Sequence, residues 1–124
     1  MKNYYLFFIL LLVTLTAKAQ IVDIPDTNFK NALLNHDPII DINNDGEIQE
    51  SEAESVTVLY VADKNISSLE GIQSFILLEL LSCYNNQLAT INLSNNSALR
   101  ILECYNNNLL NLDLSLNIEL QLLH

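Results

Sequence analysis

The chemistry-bearing residues are concentrated in one twelve-residue stretch, Asp41-Ile-Asn43-Asn-Asp45-Gly46-Glu47-Ile48-Gln49-Glu50-Ser51-Glu52. Oxygen-bearing side chains recur there at alternate positions, with a glycine at the sixth and a glutamate at the twelfth. A calcium ion takes about six to eight oxygen ligands in a flexible shell, and residues 41, 43 and 45 can aim their oxygens at one point as the chain curls. Gly46 permits the sharp turn such a curl needs, and Ile48 is expected to pack inward. Asp, Asn and Gly also make ordinary solvated turns, the bland alternative for the same stretch.

The stretch resembles the calcium loop of EF-hand proteins at every fixed position of that pattern. The resemblance implies a ligand set of Asp41, Asn43, Asp45, Glu47, Gln49 and Glu52 for Ca2+ as cofactor. Glu47 would give its backbone carbonyl, Gln49 would act through a water, and Glu52 would close the shell with both carboxylate oxygens. The flanks depart from the family: Pro38 stands three residues before the loop, the exit helix beyond Glu50 is short, and there is one loop where sensors usually carry a pair. A structural clip follows, with the affinity of extracellular modules, a Kd of about 10⁻⁴ to 10⁻³ M.

The elements that must hold this loop divide the 124 residues into three parts. Residues 1–19 pair a positive start (Met1-Lys2) with an apolar run, Leu6 to Leu15, and end in the small-x-small site Ala17-Lys18-Ala19. This is the pattern of a secretory signal peptide, too short for a membrane span. Residues 20–55 form an acidic cap with nine of the fifteen acidic residues and the single base Lys30. Asp26 or Thr27 can cap a short helix there, burying Phe29, Ala32 and Leu33 on one face until Asp37-Pro38 ends it.

Residues 56–124 are a repeat array rich in leucine and asparagine. Leu78-x-x-Leu81-x-Cys83-x-x-Asn86-x-Leu88 maps onto Leu99-x-x-Leu102-x-Cys104-x-x-Asn107-x-Leu109 with every position offset by 21. Ile91, Leu93, Ser94 and Asn96 map onto Leu112, Leu114, Ser115 and Asn117 by the same offset, and one turn earlier the offset becomes 22. This is the leucine-rich-repeat signature. The fold class expected is an α/β solenoid of parallel β rungs of 21–22 residues with a small helical N-terminal cap. Asn86 and Asn107 should bend the chain and bond backbone groups left unpaired there, with Lys64 in that place in a first, capping rung. Cys83 and Cys104 occupy equivalent inward positions and are expected to be buried free thiols, since side chains pointing the same way from neighbouring strands make poor disulfide geometry.

Signal, acidic cap, calcium loop and rungs together resemble secreted leucine-rich-repeat surface proteins of the Bacteroidetes, related in plan to internalins. That resemblance implies a secreted or cell-surface location and binding of a protein or glycan. The chain stops at Leu123-His124 inside a rung, which gives the expectations of a C-terminus truncated mid-repeat and of self-association through an uncapped last rung.

Residues alternating with the buried ones should face the concave side: Tyr60, Ser82, Tyr84, Glu103 and Tyr105, beside an apolar stripe that includes Leu80 and Ile101. A ligand would sit there, unless the stripes serve cross-strand packing alone. A net charge of −10 with five basic residues leaves no cationic patch for nucleic acid. His36 and His124 have no plausible nucleophile partner, and two glycines make no phosphate-cradling loop, so an enzyme is not expected. The alternative to a binding module is a structural spacer or a fragment without independent activity.

Overall fold

The computed structural model describes residues 19–124; the signal peptide expectation lies outside the described residues. Helix α1 spans Thr27–Leu34 and α2 spans Glu50–Ala53, followed by strands β1 (Val58–Tyr60), β2 (Leu80–Ser82), β3 (Ile101–Glu103) and β4 (Leu122–Leu123). The four strands form one parallel sheet in sequence order. Register follows the repeat: Leu59 pairs with Leu81, Leu81 with Leu102, and Leu102 with Leu123. The chain is a leucine-rich-repeat solenoid with a small helical cap.

Each rung buries the positions the 21-residue period marks. Leu59, Leu81 and Leu102 are fully buried, and so are Ile66, Leu78, Leu88 and Leu99, so the rungs share one continuous apolar core. Between β1 and β2 the return path is wider, with a short 3₁₀ turn, Ile72–Ser74, that buries Ile72 beside Phe75. Burial of this stack is the dominant favourable term, because an isolated rung has nothing to cover its apolar edge.

The cap closes the N-terminal end of that core. Asp26 is the N-cap of α1, its carboxylate accepting the Phe29 N–H at 2.9 Å, and Phe29 and Leu33 are buried. The stretch before α1 pairs with the segment leading into α2 through Val22 N–H to Ile48 carbonyl and Glu50 N–H to Gln20 carbonyl, both 2.8 Å. It then crosses Gly71 at close range. A Cβ there would sit 2.8 Å from Ile24 Cγ1 and 2.9 Å from the Asp23 carbonyl, and φ is +104°, so only glycine fits.

Three asparagine positions hold the bends. Asn86 Oδ1 accepts the N–H groups of Lys64 and Ile66, and its Nδ2 donates to the carbonyls of Val61 and Cys83. Asn107 repeats this one rung on, accepting from Leu88 and donating to Cys83 and Cys104. The ladder expected here runs from each asparagine to the backbone of the preceding rung. Direct side-chain steps occur one residue earlier, where Asn106 donates to Asn85 and Asn85 to Asp63, all three at positive φ. On the return path Asn96 donates to the carbonyls of Ile72 and Phe75, and Asn117 to those of Leu93 and Asn96.

The last rung is less covered than the others: Leu112, Leu114 and Leu120 are partly buried against the core, and Leu123 is 51% exposed where Leu81 and Leu102 are at 0%. Among the described residues no helix is long and apolar enough to cross a membrane.

Candidate functional site

Two regions carry the expected site residues, the loop in the cap and the open face of the sheet. In the loop, Asp41 stands at the entrance with its carboxylate turned inward, accepting the N–H groups of Asp45 at 3.2 Å and Gly46 at 3.1 Å. Gly46 has φ +79°, which makes the turn. Glu52, on α2, ties the two ends together: Oε1 accepts from Ile42 at 2.8 Å and Asn43 at 3.3 Å, and Oε2 from Gln49 at 3.0 Å. Asp41, Gln49 and Glu52 are buried, and so is Ile48 behind them.

Asp45 lies between, its Oδ2 receiving the amide nitrogens of Asn43 at 3.0 Å and Gln49 at 2.7 Å. Glu47 turns its side chain outward onto Lys30, at 2.6 Å, which leaves only its backbone carbonyl for the loop. All six expected residues are thus gathered in one curl, and the donor set of carboxylates and amides suits a hard cation. Among the described residues no three His, Cys, Asp or Glu side chains stand together at metal-ligating separations. The loop interior is occupied instead by the Asn43 and Gln49 amide nitrogens, and a half-turn of each amide would present oxygen.

On the sheet, Tyr84 and Tyr105 stack with ring centroids 4.6 Å apart and planes within 4° of parallel. The spacing is that of neighbouring strands, so register alone brings the rings face to face. Tyr105 is 45% exposed; partial desolvation, then Tyr84, Glu103 and Asp63, push its phenol above the ordinary range, keeping it neutral. Val58, Leu80 and Ile101 form the half-buried apolar stripe, with Leu122 more exposed beside them. Ser82 departs from the expectation: it is only 3% exposed, because a short side chain between Tyr60 and Glu103 on the flanking strands is overshadowed by both. It offers a ligand little surface, whereas Tyr60, Tyr84, Glu103 and Tyr105 remain accessible.

A residue without an expected role is His36. Its Nδ1–H donates to the Pro38 carbonyl and its Nε2 accepts the Tyr60 N–H, each at 2.9 Å, so the ring is neutral with the proton on Nδ1. It covers the free edge of β1 and backs the Tyr60 ring, the two planes being within 8° of parallel. No local spacing marks it, since the strand it covers begins 22 residues later.

Cys83 and Cys104 are buried and unpaired. Burial, then the neighbouring Cys104 and Glu103, push the Cys83 thiol up to about 12. Neither is a nucleophile at neutral pH.

No family model matches the chain, and a search of curated proteins gives no match. Solved structures do match. The functional domain of InlJ from Listeria monocytogenes, which includes a cysteine ladder, is 32% identical with a TM-score of 0.61 over 63% of this chain. The internalin InlF from Listeria monocytogenes is 25% identical with a TM-score of 0.70 over 89%. The fold is internalin-like. The CBM51-2 and INT domains of ZmpB from Clostridium perfringens, 24% identical with a TM-score of 0.55 over 68%, share the fold. This chain spans 17% of the InlJ chain and 33% of the InlF chain.

Proposed function

We propose that the chain is a non-enzymatic, secreted or cell-surface binding module of the Bacteroidetes leucine-rich-repeat type, with a protein or glycan ligand on the concave face and a structural calcium ion in the cap. The observation that carries the reading is the Tyr84–Tyr105 stack beside Val58, Leu80 and Ile101 on the open face of the sheet. Rigid tyrosines next to apolar side chains give contact area at low entropic cost, the usual composition of a binding hot spot. The internalin-like fold supports it. In the cap, Asp41 and Glu52 are buried at the two ends of one curl of oxygen-bearing side chains, which supports a weak calcium clip once the Asn43 and Gln49 amides turn their oxygens inward.

The test is capture from host and envelope extracts by the natural chain and by Tyr84→Ala/Tyr105→Ala. A partner retained by the first and lost by the second supports the concave-face module. Capture of nothing leaves the structural spacer as the function.

A further inference from the structure

The seam between the cap and the first rung holds a cavity of about 420 Å³ with a lining unlike that of the sheet face. One wall is α1 and its C-cap, with Asn28, Asn31 and Asn35; the other is Tyr60 and Lys64, and Asp37 stands at the rim. We propose that this cavity is a saccharide-binding site, in which Tyr60 takes the C–H face of a sugar ring and the asparagine amides take its hydroxyls.

Helix propensity does not account for Asn28 and Asn31, whereas Asn35 is the C-cap. Asparagine is among the poorer helix formers, and an eight-residue helix has little propensity to spare. Two of the amides do have structural duties: Asn28 Nδ2 donates to the Asn65 carbonyl and Asn35 Nδ2 to the Asn31 carbonyl. Those bonds fix the amides in place and leave the Oδ1 atoms of Asn28 and Asn35 as acceptors. The Asn31 amide has no protein partner among the described residues, so both its donors and its acceptor face outward.

The aromatic wall is equally fixed. Tyr60 is 54% exposed, yet its N–H is held by His36 and its ring is backed by the imidazole, so the platform is preorganised. Lys64 is available because the bend of the first rung is held from the next one: Asn86 Oδ1 accepts the Lys64 N–H, which frees the side chain from the role asparagine plays at 86 and 107. It makes no ion pair among the described residues.

The chemistry of the lining selects the ligand. Hydroxyls both donate and accept, as amides do, and the negative face of an aromatic ring attracts C–H groups. An anion would ask for converging cations, and here one lysine faces Asp37 in a chain of net charge −10. An apolar ligand would strip water from three amides and return no hydrogen bonds. The volume is within the range of about 300–1,000 Å³ of small-molecule sites. The site shares Tyr60 with the open face but not the Tyr84–Tyr105 stack that carries the concave-face reading, so its failure leaves that reading standing.

The test is saturation-transfer NMR with methyl β-glycosides of glucose, galactose, mannose and N-acetylglucosamine and their β-linked disaccharides, at millimolar concentration. The natural chain should bind at least one of them, with affinity reduced tenfold or more in Asn31→Ala/Lys64→Ala and in Tyr60→Ala, retained in Tyr60→Phe, and unchanged in Tyr84→Ala/Tyr105→Ala. Asn31→Ala/Lys64→Ala changes exposed side chains only and should melt no lower than the natural chain, so its loss of binding is not a loss of fold. Binding of none of these sugars overturns the proposal, as does sugar binding that survives Asn31→Ala/Lys64→Ala.

Discussion

The carboxylate of Asp26 accepts the N–H of Ser67, 41 residues downstream, at 2.9 Å. The same Oδ2 accepts from Ser68 at 3.1 Å while Oδ1 caps α1 through Phe29. One side chain therefore joins the cap to the bend of the first rung, in addition to the apolar contact beneath it.

Burial alone would raise the Asp26 carboxyl, but the N–H groups of Phe29, Ser67, Ser68 and Asn28 together hold it below its ordinary 3.8. A carboxylate lowered on folding adds stability that is fully present above the ordinary value and is lost as pH falls through the folded one. Asp26→Ala should cost about 2 kcal/mol at pH 7, about half from the lost cap and the rest from the bonds to Ser67 and Ser68, which water at the surface largely replaces. Urea unfolding at pH 7 and pH 3 checks it: the gap between the natural chain and Asp26→Asn should narrow at the lower pH.

Helix α1, its Asp26 cap and the inward leucines were legible because each rests on local spacing or on a period, and parallel pairing follows once a rung must stack on its own copy. The bends were legible at Asn86 and Asn107, which match the repeat signature. Their neighbours Asn85 and Asn106 were passed over, although asparagine next to a bend is a known occupant of the left-handed region, as both are here. His36 was missed because its partner is a backbone N–H 24 residues away, which no spacing rule reaches. Of the loop at residues 41–52, the curl and the Gly46 turn could be read, whereas the turning of Glu47 onto Lys30 depends on where α1 lies.

The asparagines at 85 and 86 should respond to mutation in opposite ways. Asn86→Ala leaves the N–H groups of Lys64 and Ile66 and the carbonyl of Val61 without partners, at a cost of about 3 kcal/mol. Asn85→Gly loses two exposed side-chain bonds, to Asp63 and from Asn106, but relieves a φ of +53°, and should be nearly neutral, whereas Asn85→Val should cost about 1–2 kcal/mol. Equilibrium unfolding of the three variants decides it, and equal losses at 85→Gly and 86→Ala would remove the distinction between backbone satisfaction and backbone conformation drawn here.

The thiols give a third expectation. With Cys83 fully buried and its pKa raised to about 12, a thiol reagent at pH 8 should leave it unmodified in the folded chain, and Cys104, at the more open end of the core, should react slowly. In denaturant without reductant both should react. A single reactive thiol or none in denaturant means that one or both are oxidised, and the assignment as apolar fillers of the core is then wrong.

Calcium should stabilise the chain, and the loop geometry says which variant isolates the effect. Binding to the folded form alone adds RT ln(1 + [L]/Kd), about 1.4 kcal/mol at ten times Kd, which raises the melting temperature of a domain this size by several degrees. Magnesium should do less, since it demands a tighter octahedral shell. Glu52 also holds the N–H groups of Ile42, Asn43 and Gln49, so Glu52→Ala should lower the melting temperature even in EDTA. Asp41 is similarly engaged with Asp45 and Gly46. Asp45 is different: its Oδ2 meets only the side-chain amides of Asn43 and Gln49, and its one backbone bond, to Glu47, survives in an amide. Asp45→Asn loses only those two side-chain bonds, so it should melt slightly lower than the natural chain in EDTA, less so than Glu52→Ala, and fail to gain in millimolar calcium. A natural chain whose melts coincide in EDTA and in calcium would rule out the ion, and the inward carboxylates of Asp41 and Glu52 would then be helix and turn caps only.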